Sequence, residues 1–260
     1  MAYSRWERTA YQVGQTTPYM VSRSKIEFYL QCPRCFWLDQ RLKIKRPSTP
    51  PFLINSAVDE LFKNEFDTYR AKGAQHPLQK KFKVDAKPFA HKDLDNWRNT
   101  FKGVRALHEP TNLLVFGAVD DVWVTPKDEL IVVDYKATAK KAEVKELGPI
   151  GGWHDAYRRQ MEVYQWLLRR NDFNVSDTGY FVYANGIADK PAFDNKVEFR
   201  TNVFPYEGDA RWVDKELENI KACLEGELPK NSEDCEYCNY TADRLQLTLE
   251  ALAKRKAKVE

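Results

Sequence analysis

Two apolar, β-rich runs separated by a short turn constrain this chain more than any other feature. The first, Leu113 to Val124, reads LLVFGAVDDVWV, and the second, Leu130 to Lys136, reads LIVVDYK. Thr125-Pro126-Lys127-Asp128 lies between them. Branched and aromatic residues on both sides of such a turn predict a β-hairpin. The charges sit where a hairpin core disfavours them. Asp120 and Asp121 interrupt the first run, and Asp134 and Lys136 end the second while it is still apolar. Burying Asp134 without a partner costs on the order of several kcal/mol.

Residues two apart on a strand share a face, so Asp134 and Lys136 project together. Asp120, on the neighbouring strand, can converge on Asp134 at one edge, while alternation turns Asp121 to the opposite face. Two carboxylates brought together repel each other unless a cation sits between them. Mg²⁺ or Mn²⁺ suits an oxygen-rich site of this kind. A lysine beside it can orient an attacking water or stabilise charge on a phosphoryl oxygen, and those parts match metal-assisted phosphodiester hydrolysis. D-x-K alone is a short pattern with many chance occurrences. Its weight here comes from the apolar strand that carries it.

The rest of the chain places this hairpin in an α/β frame. The first twenty residues read as a tail or loosely docked arm. Ile26, Tyr29, Leu30, Cys32 and Phe36 follow a helical period that Pro33 splits in two. Arg41 to Pro51 is a basic, proline-rich connection. Ile54 to Arg70 predicts a helix with Val58, Leu61, Phe62, Phe66 and Tyr69 on one face and Asp59 beside it. A further helix is expected from Asp93 to Val104. After the hairpin come a helix from Trp153 to Arg170, a strand pair (178–183 and 197–203), a helix from Asp209 to Glu225 and a charged helix from Thr241 to Glu260. Helices, then a hairpin, then a helix and strands indicate one α/β domain with a helical annex.

Composition excludes several classes. A chain of 260 residues with 43% hydrophobic and 13% aromatic residues is neither disordered nor low-complexity. No apolar run approaches the ~18 residues that span a bilayer, and MAYSRWERTAYQ lacks the apolar stretch of a secretory signal. Neither a membrane partner nor export is expected, and the location expected is cytoplasmic. The formal charge is only +3, so nucleic-acid contact would need a local basic surface. Candidates are Arg41, Lys43, Lys45 and Arg46, then Lys136, Lys140 and Lys141, then Arg158 and Arg159. Tyr135, Trp153, Tyr157 and Tyr164 alternate with them in the way that suits stacking on single-stranded bases.

The five cysteines include two C-x-x-C pairs, Cys32/Cys35 and Cys235/Cys238. Four thiolates suit either a tetrahedral Zn²⁺ or a [4Fe–4S] cluster. Cys223 falls on an apolar helical stripe with Ile220 and Leu224 and is expected in the core.

Gly117 and Asp120, a strand ending Asp134-Tyr135-Lys136, and Gln160 with Tyr164 on the next helix together resemble the PD-(D/E)XK nucleases. More narrowly they are similar to the RecB-like branch. The segment Ser24-Lys25-Ile26-Glu27-Phe28-Tyr29-Leu30-Gln31-Cys32-Pro33-Arg34, with Cys235-Glu236-Tyr237-Cys238, resembles its iron–sulfur members, the CRISPR-associated RecB-like exonucleases and AddB-type nuclease domains. The resemblance implies a restriction-endonuclease-like core, a central mixed sheet flanked by helices, with a cysteine-clipped annex. It divides the chain into a tail (1–21), a nuclease domain (22–240) and a C-terminal helix (241–260).

The resemblance also implies residue roles. Asp120 and Asp134 would bind Mg²⁺ or Mn²⁺ with the Tyr135 carbonyl, Lys136 would be the catalytic lysine, and Gln160 would support the site. Asp121 remains an alternative to Asp120. Tyr164, Arg158 and Arg159 would contact DNA. Where the family often carries G-x-x-x-H, with a metal-binding histidine, this chain has Asn55-Ser56-Ala57-Val58-Asp59, so Asp59 is a candidate oxygen ligand. The cysteines depart too: the implied [4Fe–4S] cluster normally takes one N-terminal and three C-terminal cysteines. The implied activity is DNA cleavage, as an exonuclease on single-stranded ends, with a helicase or CRISPR-adaptation protein as partner. The competing reading is a catalytically silent module that binds DNA ends or a partner.

Overall fold

The structure, a computed structural model, describes residues 9–48 and 53–256. Parts of three expected segments therefore fall outside the described residues: the start of the arm, the end of the basic connection and the last residues of the C-terminal helix. The chain runs β1 (Tyr19–Ser22), α1 (Arg23–Gln31), α2 (Pro33–Leu42), α3 (Leu53–Ala71), α4 (Pro77–Lys81), β2 (Lys87–Pro88) and α5 (Leu94–Arg98). It continues with β3 (Val104–His108), β4 (Leu113–Gly117), β5 (Asp121–Val124), β6 (Leu130–Thr138) and α6 (Asp155–Arg169). The last elements are β7 (Thr178–Gly186), β8 (Phe199–Glu207), α7 (Trp212–Glu225) and α8 (Glu236–Lys256).

The strands form two mixed sheets flanked by helices, a restriction-endonuclease-like architecture. One sheet has the order β1-β4-β3 and the other β2-β5-β6-β7-β8. β5 and β6 pair antiparallel as the expected hairpin, and β6 and β7 pair in parallel through α6. That parallel step requires a crossover, which α6 supplies. The residues of β6 alternate between two cores. Leu130 and Val132 join α6, α7 and the first sheet, whereas Ile131, Val133 and Tyr135 pack with Phe62 and Phe66 of α3. By the same period, Asp134 and Lys136 belong to the α6 side.

Several elements differ from the expectation, each for a local reason. The run Leu113–Val124 is not one strand: it leaves the first sheet after Gly117 and enters the second at Asp121. α5 holds the crossing, because the Trp97 carbonyl accepts from Val119 N–H and Arg98 Nε donates to the Asp120 carbonyl. Gly117 has no room for a side chain, since a Cβ there would lie 2.6 Å from Tyr164 Cε1. The helix expected from Asp93 stops at Arg98. Asn99 Oδ1 accepts the backbone N–H groups of Phe101 and Lys102, Gly103 turns through φ +61°, and β3 follows.

The strand expected at residues 197–203 lies at 199–207, where the antiparallel ladder with β7 runs from Gly186 opposite Phe199 to Thr178 opposite Glu207. The described part of the arm is docked. Tyr11 is buried, its hydroxyl donates to Glu225 and accepts from Lys221, and Tyr19 begins β1. α8 begins at Glu236, five residues earlier than expected, so Cys238 lies in its first turn.

Candidate active site and cysteine knot

The hairpin register pairs Asp121 with Val133. One step further along the same antiparallel register sets Asp120 opposite Asp134. Asp120 Oδ2 accepts the backbone N–H of Tyr135 at 3.0 Å, so a carboxylate takes the place of a ladder carbonyl. Asp134 has no exposed surface, and its Oδ1 has no hydrogen-bond partner. Lys136 Nζ makes an ion pair with Asp134 Oδ2. Burial pushes the Asp134 carboxyl up to about 7; Lys136 opposes that rise and the nearby Asp120 adds to it. For Lys136, burial acts downward, but Asp134 and Asp120 outweigh it and hold the ammonium above the ordinary lysine value.

α6 lays its polar face over this pair. Gln160 Oε1 is 3.4 Å from Lys136 Nζ, and Gln160 Nε2 donates to the Tyr164 hydroxyl at 3.1 Å. The Lys136 ammonium also sits 4.5 Å from the centre of the Tyr157 ring, a cation–π contact. Asp59 approaches from α3. One of its oxygens pairs with Lys63 at 2.5 Å and the other is buried without a partner. Burial and then the charge of Asp120 raise its carboxyl. Asp120 is thus the carboxylate shared between Asp59 on one side and Asp134 on the other. Buried, unpartnered carboxylate oxygens flanked by like charge are donors for a hard divalent cation, and this donor set fits Mg²⁺ or Mn²⁺.

The hairpin's other face behaves differently. Asp121 is also fully buried, but it accepts from Arg70, from Arg98 at 3.0 Å and from the Tyr135 hydroxyl at 2.7 Å. Its Oδ1 also takes its neighbour's Val122 N–H at 2.8 Å. Asp121 therefore faces α3 and away from Asp134. Tyr135 turns its ring to that side and presents its backbone N–H to Asp120.

Among the expected DNA-contact residues, Tyr164 lies buried beneath Gln160. Arg158 pairs with Asp155 at 2.6 Å and donates to the Gly148 carbonyl. Arg159 forms a two-pronged pair with Glu27, both bonds 2.8 Å. Both guanidinium groups bond within the chain. In the basic connection, Arg41 donates to the Leu224 carbonyl at the end of α7 and Arg46 reaches the cysteines.

Cys32, Cys35, Cys235 and Cys238 bring their sulfur atoms within 4.8 Å of one another. It is the only such group of three or more His, Cys, Asp or Glu ligand atoms among the described residues. Cys32 caps α2 and Cys35 lies in its first turn; Cys235 precedes α8 and Cys238 lies in its first turn. Each pair therefore sits at a helix N-terminus, where the dipole favours thiolate. Burial raises the Cys32 thiol, but backbone N–H groups of Cys35 and Ser232 and neighbouring thiols draw it down to about 6. Arg46 Nη2 lies 3.3 Å from Cys235 Sγ, with its guanidinium 4.6 Å from the ring centres of both Phe28 and Tyr237. No spacing in the chain signals this role, because Arg46 stands in an irregular segment with no period. Cys223 packs partly buried against the main core, and burial pushes its thiol up to about 11.

No curated protein matches the chain. A solved structure titled "Crystal structure of SSO0001" aligns with 89% of this chain and 87% of its own at 13% identity and a TM-score of 0.38. Among the described residues, no helix is long and apolar enough to cross a membrane. The family model of the PD-(D/E)XK nuclease superfamily matches residues 20–242, and the chain belongs to that superfamily.

Proposed function

We propose that this protein is a metal-dependent deoxyribonuclease that hydrolyses phosphodiester bonds, acting as an exonuclease on single-stranded ends. One observation carries the catalytic part. Asp134 is a fully buried carboxylate whose Oδ1 has no partner and whose Oδ2 meets the Lys136 ammonium, with the like charge of Asp120 beside it. A fold keeps such a group at a cost unless something else binds it. Asp120 and Asp134, with Asp59 at the edge and the Tyr135 carbonyl nearby in the chain, would hold Mg²⁺ or Mn²⁺. When bound there, the ion supplies Lewis-acid activation of water and neutralises charge on the phosphate.

The chain's own groups supply the rest. The Lys136 ammonium, kept charged by its two carboxylate neighbours, donates to the attacking water or to a non-bridging phosphoryl oxygen. Gln160 and the Tyr157 ring restrict where that ammonium can lie, and Tyr164 fixes the Gln160 amide. Substrate positioning falls to the loop between β6 and α6. Trp153 is 58% exposed there, with Lys140 Nζ 4.9 Å from its ring centre and Tyr157 packed edge-on at 5.1 Å. An exposed indole joined through Tyr157 to Lys136 is a platform on which an unpaired base can stack. This supports a single-stranded substrate.

The test is cleavage of end-labelled single- and double-stranded DNA with Mg²⁺ or Mn²⁺. We expect wild type to cut and Asp134→Ala and Lys136→Ala to lose cutting, with the fragment ladder separating exo- from endonuclease action. Folded wild type that binds DNA but cuts neither substrate with either metal would overturn the reading in favour of a DNA-end-binding module.

A further inference from the structure

The four cysteines form a knot of a definite size, and size distinguishes its two candidate occupants. The sulfur separations are 3.4 Å for Cys35–Cys238, 3.7 Å for Cys35–Cys235 and 3.9 Å for Cys32–Cys238, and no pair exceeds 4.8 Å. A tetrahedral ion with metal–sulfur bonds of about 2.3 Å holds its thiolates about 3.8 Å apart. In a [4Fe–4S] cluster each thiolate binds a different iron of a bulky core, which spreads the sulfurs to about 6 Å. The knot lacks space for that core. We propose that Cys32, Cys35, Cys235 and Cys238 bind a single Zn²⁺ as a redox-inert structural centre, in place of the iron–sulfur cluster that the sequence resemblance implies.

The surroundings agree with a compact, anionic, closed site. Four thiolates around one divalent cation leave a net charge of −2, and three features offset it. Two helix N-termini, of α2 and α8, point at the sulfurs. Arg46 donates to Cys235 and is held between Phe28 and Tyr237. Cys32, Cys35 and Cys235 are buried and Cys238 is half-buried, and four thiolates fill a tetrahedral ion's coordination. Mechanically, the ion joins the α1–α2 corner to the base of α8. The same α1 carries Glu27, whose pair with Arg159 abuts Gln160 on α6. The knot thereby braces the helix that covers the candidate active site.

Metal content tests this without reference to cleavage. The protein is produced in medium supplying both iron and zinc, purified without oxygen, and analysed by elemental mass spectrometry and visible absorption. The same analysis on Asp134→Ala excludes metal held by the carboxylates. We expect about one zinc per chain, colourless protein, and zinc released in step with titration of thiols by a mercurial, read with a zinc dye. Brown protein with about four irons per chain overturns the proposal. So does a single iron per chain, and so does metal-free protein with the cysteines joined as disulfides. Because wild type gives the answer, failure of a cysteine variant to fold does not obscure it, and loss of the nuclease reading leaves the outcome untouched.

Discussion

Asp121 and Asp134 lie on opposite faces of one hairpin and are both wholly buried, yet the protein treats them in opposite ways. Asp121 is surrounded by donors: two arginines, a tyrosine hydroxyl and a backbone N–H. Asp134 has a single ion-pair partner, Lys136 on Oδ2, and an Oδ1 that nothing answers. Burial is therefore no guide to role; hydrogen-bond satisfaction is. A saturated buried charge belongs to the architecture, since its partners answer its desolvation within the fold. An unsaturated one calls for a partner from outside the fold, which under the proposed function is a divalent cation.

Mutation separates the two faces most sharply on activity. We expect Asp134→Ala and Lys136→Ala to lower DNA cleavage by on the order of a thousandfold, the scale of removing one preorganised charge-stabilising group. Asp121→Asn should leave catalysis in the folded fraction largely unaltered. Steady-state cleavage rates corrected for folded protein would break the comparison if Asp121→Asn lost as much as Asp134→Ala.

Stability should reverse the order. Asp121→Asn leaves Arg70 and Arg98 with Asp67 as their remaining carboxylate and removes the buried one, costing about 3 kcal/mol, the low end for breaking a buried pair, and should lower Tm by roughly 6–10 °C. Asp134→Asn should instead stabilise the chelator-treated protein. The sign follows from the raised carboxyl, about 7 in the fold against 3.8 ordinarily. Well below pH 3.8 the group is protonated in both states and costs nothing, and at pH 4 the penalty is still small. As pH rises, the unfolded chain ionises first, so the penalty grows and is complete above pH 7. Melting curves with EDTA at pH 4 and pH 8 should show a gain for Asp134→Asn only at the higher pH. A gain equal at both would mean that the charge of Asp134 is already compensated.

The same contrast explains what could be read from sequence. The hairpin, the shared face of Asp134 and Lys136, the split at Pro33 and the helix over Asp59 all follow from periods of two and 3.6, which are local. Strand alternation also assigned Asp121 to the far side. What sequence did not reveal depends on distant partners. The sheet changes at Gly117 because α5 binds the crossing and Tyr164 takes the space of a side chain. Arg158 and Arg159, placed by their proximity to Gln160, bond instead to Asp155 and to Glu27 on α1. Arg46 reaches the cysteines from a loop. None of these pairings leaves a spacing signature, because each joins segments whose separation is set by the finished fold.

Substrate positioning should be a smaller effect. Trp153→Ala removes the exposed ring but none of the carboxylates, so single-stranded DNA should bind about tenfold more weakly, the scale of one stacked base. Trp153→Phe should recover most of that loss, and duplex binding should change less. Fluorescence anisotropy with labelled oligonucleotides in EDTA reads this without cleavage. Equal weakening for both DNA forms would assign Trp153 to the loop's own packing with His154 and Tyr157.

The smallest expected effect on the cleavage rate itself lies at Asp59, which is intermediate between the two kinds of carboxylate. One of its oxygens is answered by Lys63 and the other is buried without a partner. Half its charge is thus compensated within α3, and only half is left to support a cation beside Asp120. Asp59→Asn should raise the Mg²⁺ concentration needed for half-maximal cleavage by about tenfold, the scale of a group that tunes a metal site from its edge. The rate at saturating metal should stay close to wild type. Asp59→His should favour Mn²⁺ over Mg²⁺, because imidazole is a softer ligand than carboxylate. A metal titration of unchanged midpoint in both variants would place Asp59 with Asp121, as a helix carboxylate that serves its lysine alone.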